Sequence, residues 1–343
     1  MTTPASTDEP SGPRPEMVPT GPAVVAVDHD RLADLEAKVA RAVRRSRAEA
    51  TLKAYRADWA DFTTWCTTLG FDALPADPAT VAAYVAELAD PPDDRPPRTV
   101  STISRRLAAI AEGHKVAGHP NPTADPLVRE TMKGIRRSLG VAPTQKRGIT
   151  TADVRAAVTG LGERLIDHRD RALLLVGFAG GFRRSELVAL EVTDITDHPR
   201  GLLVRVRRSK TDQEAAGRTV EVAYGTDPVT CPVRAWRTWV DRAAITSGPA
   251  LRAVDRHGNV SPRPLTGHAV ALIIKRHMGR LGHPVDDFAG HSLRRGMATT
   301  AARNGAAERT IMRTTGHTAT ATLRTYIEDA EEFTDPASAY LEL

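Results

Sequence analysis

Cysteine is almost missing from this chain of 343 residues: there are two, Cys66 and Cys231, far apart. Neither has a second ligand pair nearby. That argues against a zinc site or a disulfide framework and points to a reduced, cytoplasmic setting. Long apolar runs are missing too. No stretch approaches the roughly 20 residues that cross a bilayer, and Ala172 to Ala179 is short enough to be a buried core helix. The opening residues are Thr, Pro, Ser and Glu, with no apolar secretory segment. Aromatics are few, at 4%, and no internal repeat is evident. What is present is ordinary for a globular protein: 41% hydrophobic and 26% charged residues. The length predicts two domains, each able to bury a core. A net charge of +5 and a pI near 9.4 lean towards an anionic partner.

Residues 1–28 are rich in Pro, Thr and Ser and read as a disordered tail. Helical patterns follow. Asp30 to Arg45 places Leu32, Leu35 and Val39 on one stripe. Ala50 to Leu69 carries Leu52, Tyr55, Trp59, Phe62 and Cys66 at spacings of three and four. Pro78 to Leu88, Thr99 to Val116 and Asp125 to Leu139 complete an all-helical domain over 29–139. Residues 140–150, with Lys146 and Arg147, read as an exposed basic linker. The second domain, 151–343, starts with a helix that Thr151 is expected to cap. His168 to Phe178 is a helix closed by Gly180-Gly181. Leu202 to Arg208 and Arg218 to Ala223 alternate, which predicts a β-hairpin. Cys231 to Ala244, Thr266 to Leu281, Ser292 to Asn304, Glu308 to Thr314 and Thr318 to Asp329 read as helices. The fold class is therefore mainly α with a small β-hairpin or sheet.

Against this background six residues in the second half stand out: Arg183, Lys210, His291, Arg294, His317 and Tyr326. Arginine forks grip phosphate bidentately, and a tyrosine oxygen can link covalently to it. Arg183 and Glu186 lie three apart after the Gly-Gly break, where they can share a helix face. A surface Glu–Arg pair is the bland alternative. His291 and Arg294 are also three apart at a helix start, which favours anions or is simply a polar helix start. Lys210 follows the first hairpin strand, placed as a mobile general acid or as a solvated loop lysine. Tyr326, alone, could equally be a packing tyrosine.

In this order, and in the frames Gly181-Phe182-Arg183-Arg184-Ser185-Glu186-Leu187, Ser209-Lys210-Thr211, His291-Ser292-Leu293-Arg294, Thr315-Gly316-His317 and Thr325-Tyr326, the chain resembles the tyrosine recombinase (phage integrase) family. The specific motifs cover 151–343. Thr63-Thr64-Trp65-Cys66 and Val100-Ser101-Thr102-Ile103 resemble Cre-type members. The resemblance implies a SAM-like helical core-binding domain and a catalytic domain, clamped together around DNA. It implies Tyr326 as the nucleophile forming a 3′-phosphotyrosine link, with Arg183 and Arg294 on the scissile phosphate. Lys210 protonates the departing 5′-oxygen, His291 serves Tyr326 as acid/base, His317 bonds the phosphate and Glu186 orients the pocket. No metal, other cofactor or ATP is implied. Two departures stand out: Thr315 replaces a frequent apolar residue, and Ile327-Glu328 follows Tyr326. Neither touches the named roles. Arg184 adjoins Arg183, and the Gly-x-Arg-x-Ser-Glu frame selects Arg183. A type IB topoisomerase-like relaxing enzyme and a non-catalytic DNA-binding protein of the same fold are the alternatives.

DNA contacts are expected from Ser101, Thr102, Ser104, Arg105 and Arg106 at the start of the fourth helix. The bland reading of the arginines there is a solvated face. Lys133, Arg136, Arg137, Lys146 and Arg147 suit phosphate contacts. Arg205, Arg207 and Arg208 flank the hairpin, and His268 opens a second groove-facing helix. The expected partners are double-stranded DNA with an inverted-repeat site and three further copies of the chain, a homotetramer on two duplexes. The tail from Phe333 to Leu343 is expected to pack in trans, or on its own domain. No membrane partner is expected; the location expected is cytoplasmic, nucleoid-associated.

Overall fold

A computed structural model describes residues 30–31, 33–35, 37–38, 49–140, 145–207 and 217–317. The chain divides into two compact units, Met1–Pro143 and Thr144–Leu343. Lys210, Arg208 and Tyr326, the tail from Phe333, and the segments expected to be a disordered tail and a helix over Thr318 to Asp329 lie outside the described residues.

The first unit is helical: α1 (Glu49–Leu69), α2 (Pro78–Ala89), α3 (Val100–Val116) and α4 (Pro126–Leu139). Local sequence sets the starts. Asp77, Thr99 and Asp125 cap α2, α3 and α4 by accepting from the amides of Ala79, Thr102 and Leu127. Proline occupies the first turn of α2 and α4, where its missing N–H costs nothing. The apolar stripes meet in a core that includes Phe62, Tyr84, Ile103, Ile110, Val128 and Met132.

In the second unit α5 (Thr151–Thr159) leads to α6 (Leu165–Ala179). Leu173 and Leu174 in α6 are fully buried, and α6 packs on α8 (Pro232–Arg242) and α10 (Ser292–Arg303). The cap of α5 is Thr150, one residue before the expected Thr151, in a reciprocal box with Asp153. After α7 (Arg184–Ala189) comes an antiparallel sheet of β1 (Ile195–His198), β2 (Gly201–Val206) and β3 (Arg218–Ala223). Arg218 pairs with Val206 and Ala223 with Gly201. The expected hairpin thus carries a third strand, Ile-Thr-Asp-His, too short and polar to alternate visibly. A second hairpin, β4 (Arg252–Val254) and β5 (Val260–Pro264), was also hidden, because none of its strand residues is fully buried and two of them are proline. Three helices follow: α9 (Gly267–Arg280), the α10 already named, and α11 (Glu308–Thr315).

Residues 145–150, expected to be part of an exposed linker, lie against this unit. Arg147 N–H donates to the Asp287 carbonyl at 2.8 Å, and Ile149 N–H to the Ser292 carbonyl at 3.0 Å. Gln145 to Arg147 face solvent, while Ile149 is fully buried. Among the described residues no helix is long and apolar enough to cross a membrane.

Candidate active site

The turn after α6 delivers the first arginine. Arg183 caps α7, and its backbone N–H donates to Glu186 Oε2 at 3.0 Å. Its Nη1 donates to Glu186 Oε1 at 2.7 Å. Both residues are buried. Arg184 points elsewhere: it is exposed and lies over Gly267 and Gly290. Of the two adjacent arginines, Arg183 is thus the one bound to Glu186.

Glu186 holds a second arginine that the sequence reading missed. Arg218, first residue of β3, donates from Nη2 to Glu186 Oε2 at 2.8 Å and from Nη1 to Oε1 at 3.2 Å. A signal for it existed. Side chains alternate along a strand, and Arg218 shares parity with the buried Val220 and Val222. A cation on a core-facing position needs a partner. Burial alone would raise the Glu186 pKa; hydrogen bonds and charge from Arg218 and Arg183 overcome it and hold the carboxyl below its ordinary value.

Arg294 comes from the first turn of α10 and is 3% exposed. Its Nη1 donates to the carbonyls of Gly181 and Thr315. It therefore ties the α6–α7 turn to the end of α11. His291 caps the same helix and is exposed. At the end of α11, Gly316 is left-handed, with φ 67° and ψ 40°. A Cβ there would lie 3.0 Å from Arg218 Nε and Nη1. Glycine satisfies both demands.

His317 lies next. Burial, then the charges of Arg294, Arg183 and Arg218, push its pKa down to about 4. Its Nδ1 is 2.9 Å from Thr315 Oγ1. Thr315 is fully buried, and its hydroxyl donates to the Ile311 carbonyl at 2.7 Å. A hydroxyl has one proton. With that proton on Ile311, Oγ1 accepts from Nδ1–H, and a neutral His317 keeps Nε2 as an acceptor. The expectation that Thr315 stands apart from the chemical roles is thus corrected: it touches one of their side chains.

The structure brings Arg183, Glu186, Arg294 and His317 together, joined by Arg218. Glu186 bonds two guanidinium groups, Arg294 joins them in acting on His317, and that histidine is neutral at pH 7. Among the described residues, Arg183, Arg218 and Arg294 against Glu186 sum to +2. Such a centre suits an anion with several oxygens.

The expected DNA-contact residues separate into classes. Ser101 and Arg105 are exposed, and Thr102 and Ser104 half-buried. Arg105 is engaged with Asp58, at 2.7 and 2.9 Å. Arg106 is corrected outright. It is buried, donates to Asp61 and to the Tyr84 hydroxyl, and lies over the Tyr84 ring. It follows Ile103 by three residues and precedes Ile110 by four, which puts it on the core face of α3. Lys133, Arg136 and Arg137 are exposed on α4. Lys146 Nζ donates to the Asp286 carbonyl at 2.7 Å, and Arg147 lies 5.9 Å from the centre of the Phe288 ring. Arg205 is exposed. Arg207 instead braces the sheet, donating to Asp194 at 2.6 Å and Glu191 at 2.8 Å. His268 is exposed in the first turn of α9.

Residues 148–332 match the phage integrase family. The chain belongs to that family and is an enzyme of the tyrosine recombinase type, acting in site-specific recombination. It is 39% identical over 307 residues to an integrase/recombinase XerD homolog of Selenomonas ruminantium, covering 88% of each chain. The Cre-type resemblance is more distant: the recombinase Cre of Escherichia phage P1 is 23% identical, over 87% of this chain and 90% of Cre. A crystal structure of the XerH site-specific recombinase, bound to palindromic difH substrate, shares the fold. Its TM-score is 0.55 at 14% identity, covering 78% of this chain and 73% of XerH.

Proposed function

We propose that this recombinase cuts and rejoins double-stranded DNA through a 3′-phosphotyrosine link on Tyr326, passing through a Holliday junction. The observation that carries the reading is the buried cationic centre of Arg183, Arg218 and Arg294 around Glu186, with His317 beside it. Tyr326 lies nine residues beyond that histidine. The Tyr326 oxygen attacks the scissile phosphorus, and the bond to the 5′-oxygen breaks. Arg183 and Arg294 take up the charge that develops on the equatorial oxygens. Lys210 delivers the proton to the departing 5′-oxygen, and His291 serves Tyr326 as acid/base. The phosphotyrosine keeps the energy of the broken bond, so rejoining needs no ATP, and the guanidinium groups supply the counter-charge in place of a metal ion.

His317 donates to a phosphate oxygen through Nε2–H. Thr315 must then turn its proton from the Ile311 carbonyl to Nδ1, so the hydroxyl couples phosphate binding to the tautomer. The two units close as a clamp on an inverted-repeat site, and four copies join two duplexes. The tail from Phe333 packs on a neighbouring copy. The setting is cytoplasmic.

Trapping on nicked duplex DNA tests this reading. The full chain should become covalently joined to the 3′ end of the cut strand, and Tyr326→Phe should bind DNA without forming the adduct. DNA that is bound but never joined to wild-type protein would refute it.

A further inference from the structure

The second unit carries a cavity remote from the centre around Glu186. It holds about 600 Å³ between the first turn of α6, the turn joining β4 to β5, and the last turns of α9. That volume lies within the range of small-molecule sites. Arg256, Arg276 and Arg280 line it, and Leu165, Ile166 and Val254 give it an apolar wall. Arg276 and Arg280 are four residues apart on α9, so they project from one face. Arg183 follows the other end of α6, and the helix from Leu165 to Ala179 is about 21 Å long at the helical rise.

The carboxylates in its wall are already held by other groups. Asp167 accepts from Arg164 Nε at 2.9 Å and Nη2 at 3.2 Å. Asp170 is buried, accepts from Arg169 Nε at 2.6 Å and faces His277 Nε2 at 2.8 Å. Asp255 accepts from the amides of His257 and Asn259 at 2.7 and 2.9 Å, which closes the β4–β5 turn. The three arginines are engaged far less. Arg276 comes only within 3.9 Å of Asp170. Arg256 Nε donates to the His257 ring at 3.0 Å, and Arg280 has no hydrogen bond or ion pair with a described residue. The start of α6 adds donors to this cluster: no side chain caps it, and among the described residues the amides of Leu165 and Ile166 have no acceptor.

We propose that this cavity binds a nucleotide, with its phosphates on Arg256, Arg276 and Arg280 and its base against Leu165, Ile166 and Val254. Guanidinium forks grip phosphate oxygens bidentately, and the base covers apolar surface that is otherwise left to water. Inorganic phosphate would leave that wall bare, and a purely apolar ligand would leave the arginines unmatched. A nucleotide answers both. The bound nucleotide is a ligand there, not an energy source. Because the cavity lies at the far end of α6 from Arg183, the inference stands apart from the catalytic reading and does not rest on it.

Equilibrium dialysis of the full chain against ATP, without divalent cations, tests the assignment. The wild-type chain should bind ATP saturably. Arg276→Gln/Arg280→Gln should weaken that binding about 100-fold, the scale of two charge-assisted contacts. Tripolyphosphate, which has the charge but no base, should bind about tenfold more weakly than ATP. Duplex DNA added to saturation should leave the ATP in place. Absence of saturable binding would overturn the proposal, and so would a double variant that binds as the wild type does. Displacement of ATP by DNA would overturn it too, by moving the phosphates to the DNA-binding surface. Tripolyphosphate binding as tight as that of ATP would reduce the cavity to a patch of charge and reject the nucleotide. Should the double variant fail to fold, the wild-type chain still decides: a photoreactive azido analogue of ATP should label the peptides that contain Leu165 or Val254, and labelling confined to other peptides rejects the site.

Discussion

Each unit of this chain sets arginines against carboxylates, and the two clusters balance differently. In the first unit Arg105 pairs with Asp58, and Arg106 with Asp61 and Tyr84. Two cations meet two anions, so the charge closes to zero and the cluster joins α1 to α3. In the second unit one carboxylate, Glu186, bonds both Arg183 and Arg218, and Arg294 Nη1 donates to the carbonyls of Gly181 and Thr315. Carbonyl groups orient the Arg294 guanidinium. The difference teaches how to read clustered arginine: a balanced cluster maintains the fold, and one whose described residues sum to a positive charge suits an anion. Burial makes that surplus expensive without the anion and effective with it.

This comparison is sharpened first at Arg218. Lysine keeps the charge but loses the bidentate grip on Glu186. Arg218→Lys should slow single-turnover strand cleavage by about 100-fold, roughly 2.7 kcal/mol, at unchanged DNA affinity. Cleavage at the wild-type rate would make Arg218 a mere brace.

A smaller effect is expected at Thr315. Thr315→Val removes the hydroxyl that sets the His317 tautomer, and cleavage should fall about tenfold, the scale of one hydrogen bond. Thr315→Ser should restore it. Equal defects in both variants would indicate packing instead. The pH dependence follows from the same residue. With a folded pKa of about 4 against an ordinary 6.5, His317 stays neutral in the native state while the unfolded chain takes up its proton. Stability from this group is whole above pH 6.5 and is lost as pH falls towards 4. Urea titrations of wild-type and His317→Gln protein across that window should diverge in this sense.

Sequence order carried part of the cluster, because the spacing of three joins Arg183 to Glu186 and puts His291 at the cap and Arg294 in the first turn of α10. The frame around Glu186 also separates Arg183 from its neighbour Arg184. Arg218 escaped, since its partner lies 32 residues away and only the folded sheet brings them together. Arg106 was misplaced for a related reason: its charge suggested the surface, while its spacing from Ile103 and Ile110 put it inside. In both, the periodicity of the element outweighed the polarity of the residue. The short strands Ile195–His198 and Arg252–Val254 were hidden because their residues lack an alternating apolar face, and long-range pairing supplies what local pattern does not.

The two arginine clusters can be set against each other in a single measurement. Strand cleavage is followed under single-turnover conditions, with protein saturating a nicked duplex, for Arg183→Gln and Arg105→Gln. At saturation a weakened DNA contact no longer matters, and only the chemical step is read. Loss of the transition-state cation should slow Arg183→Gln by about 1,000-fold, while Arg105→Gln stays within about threefold of wild type. Comparable losses in both, or wild-type cleavage by Arg183→Gln, would contradict the assignment of chemistry to the cluster with surplus charge.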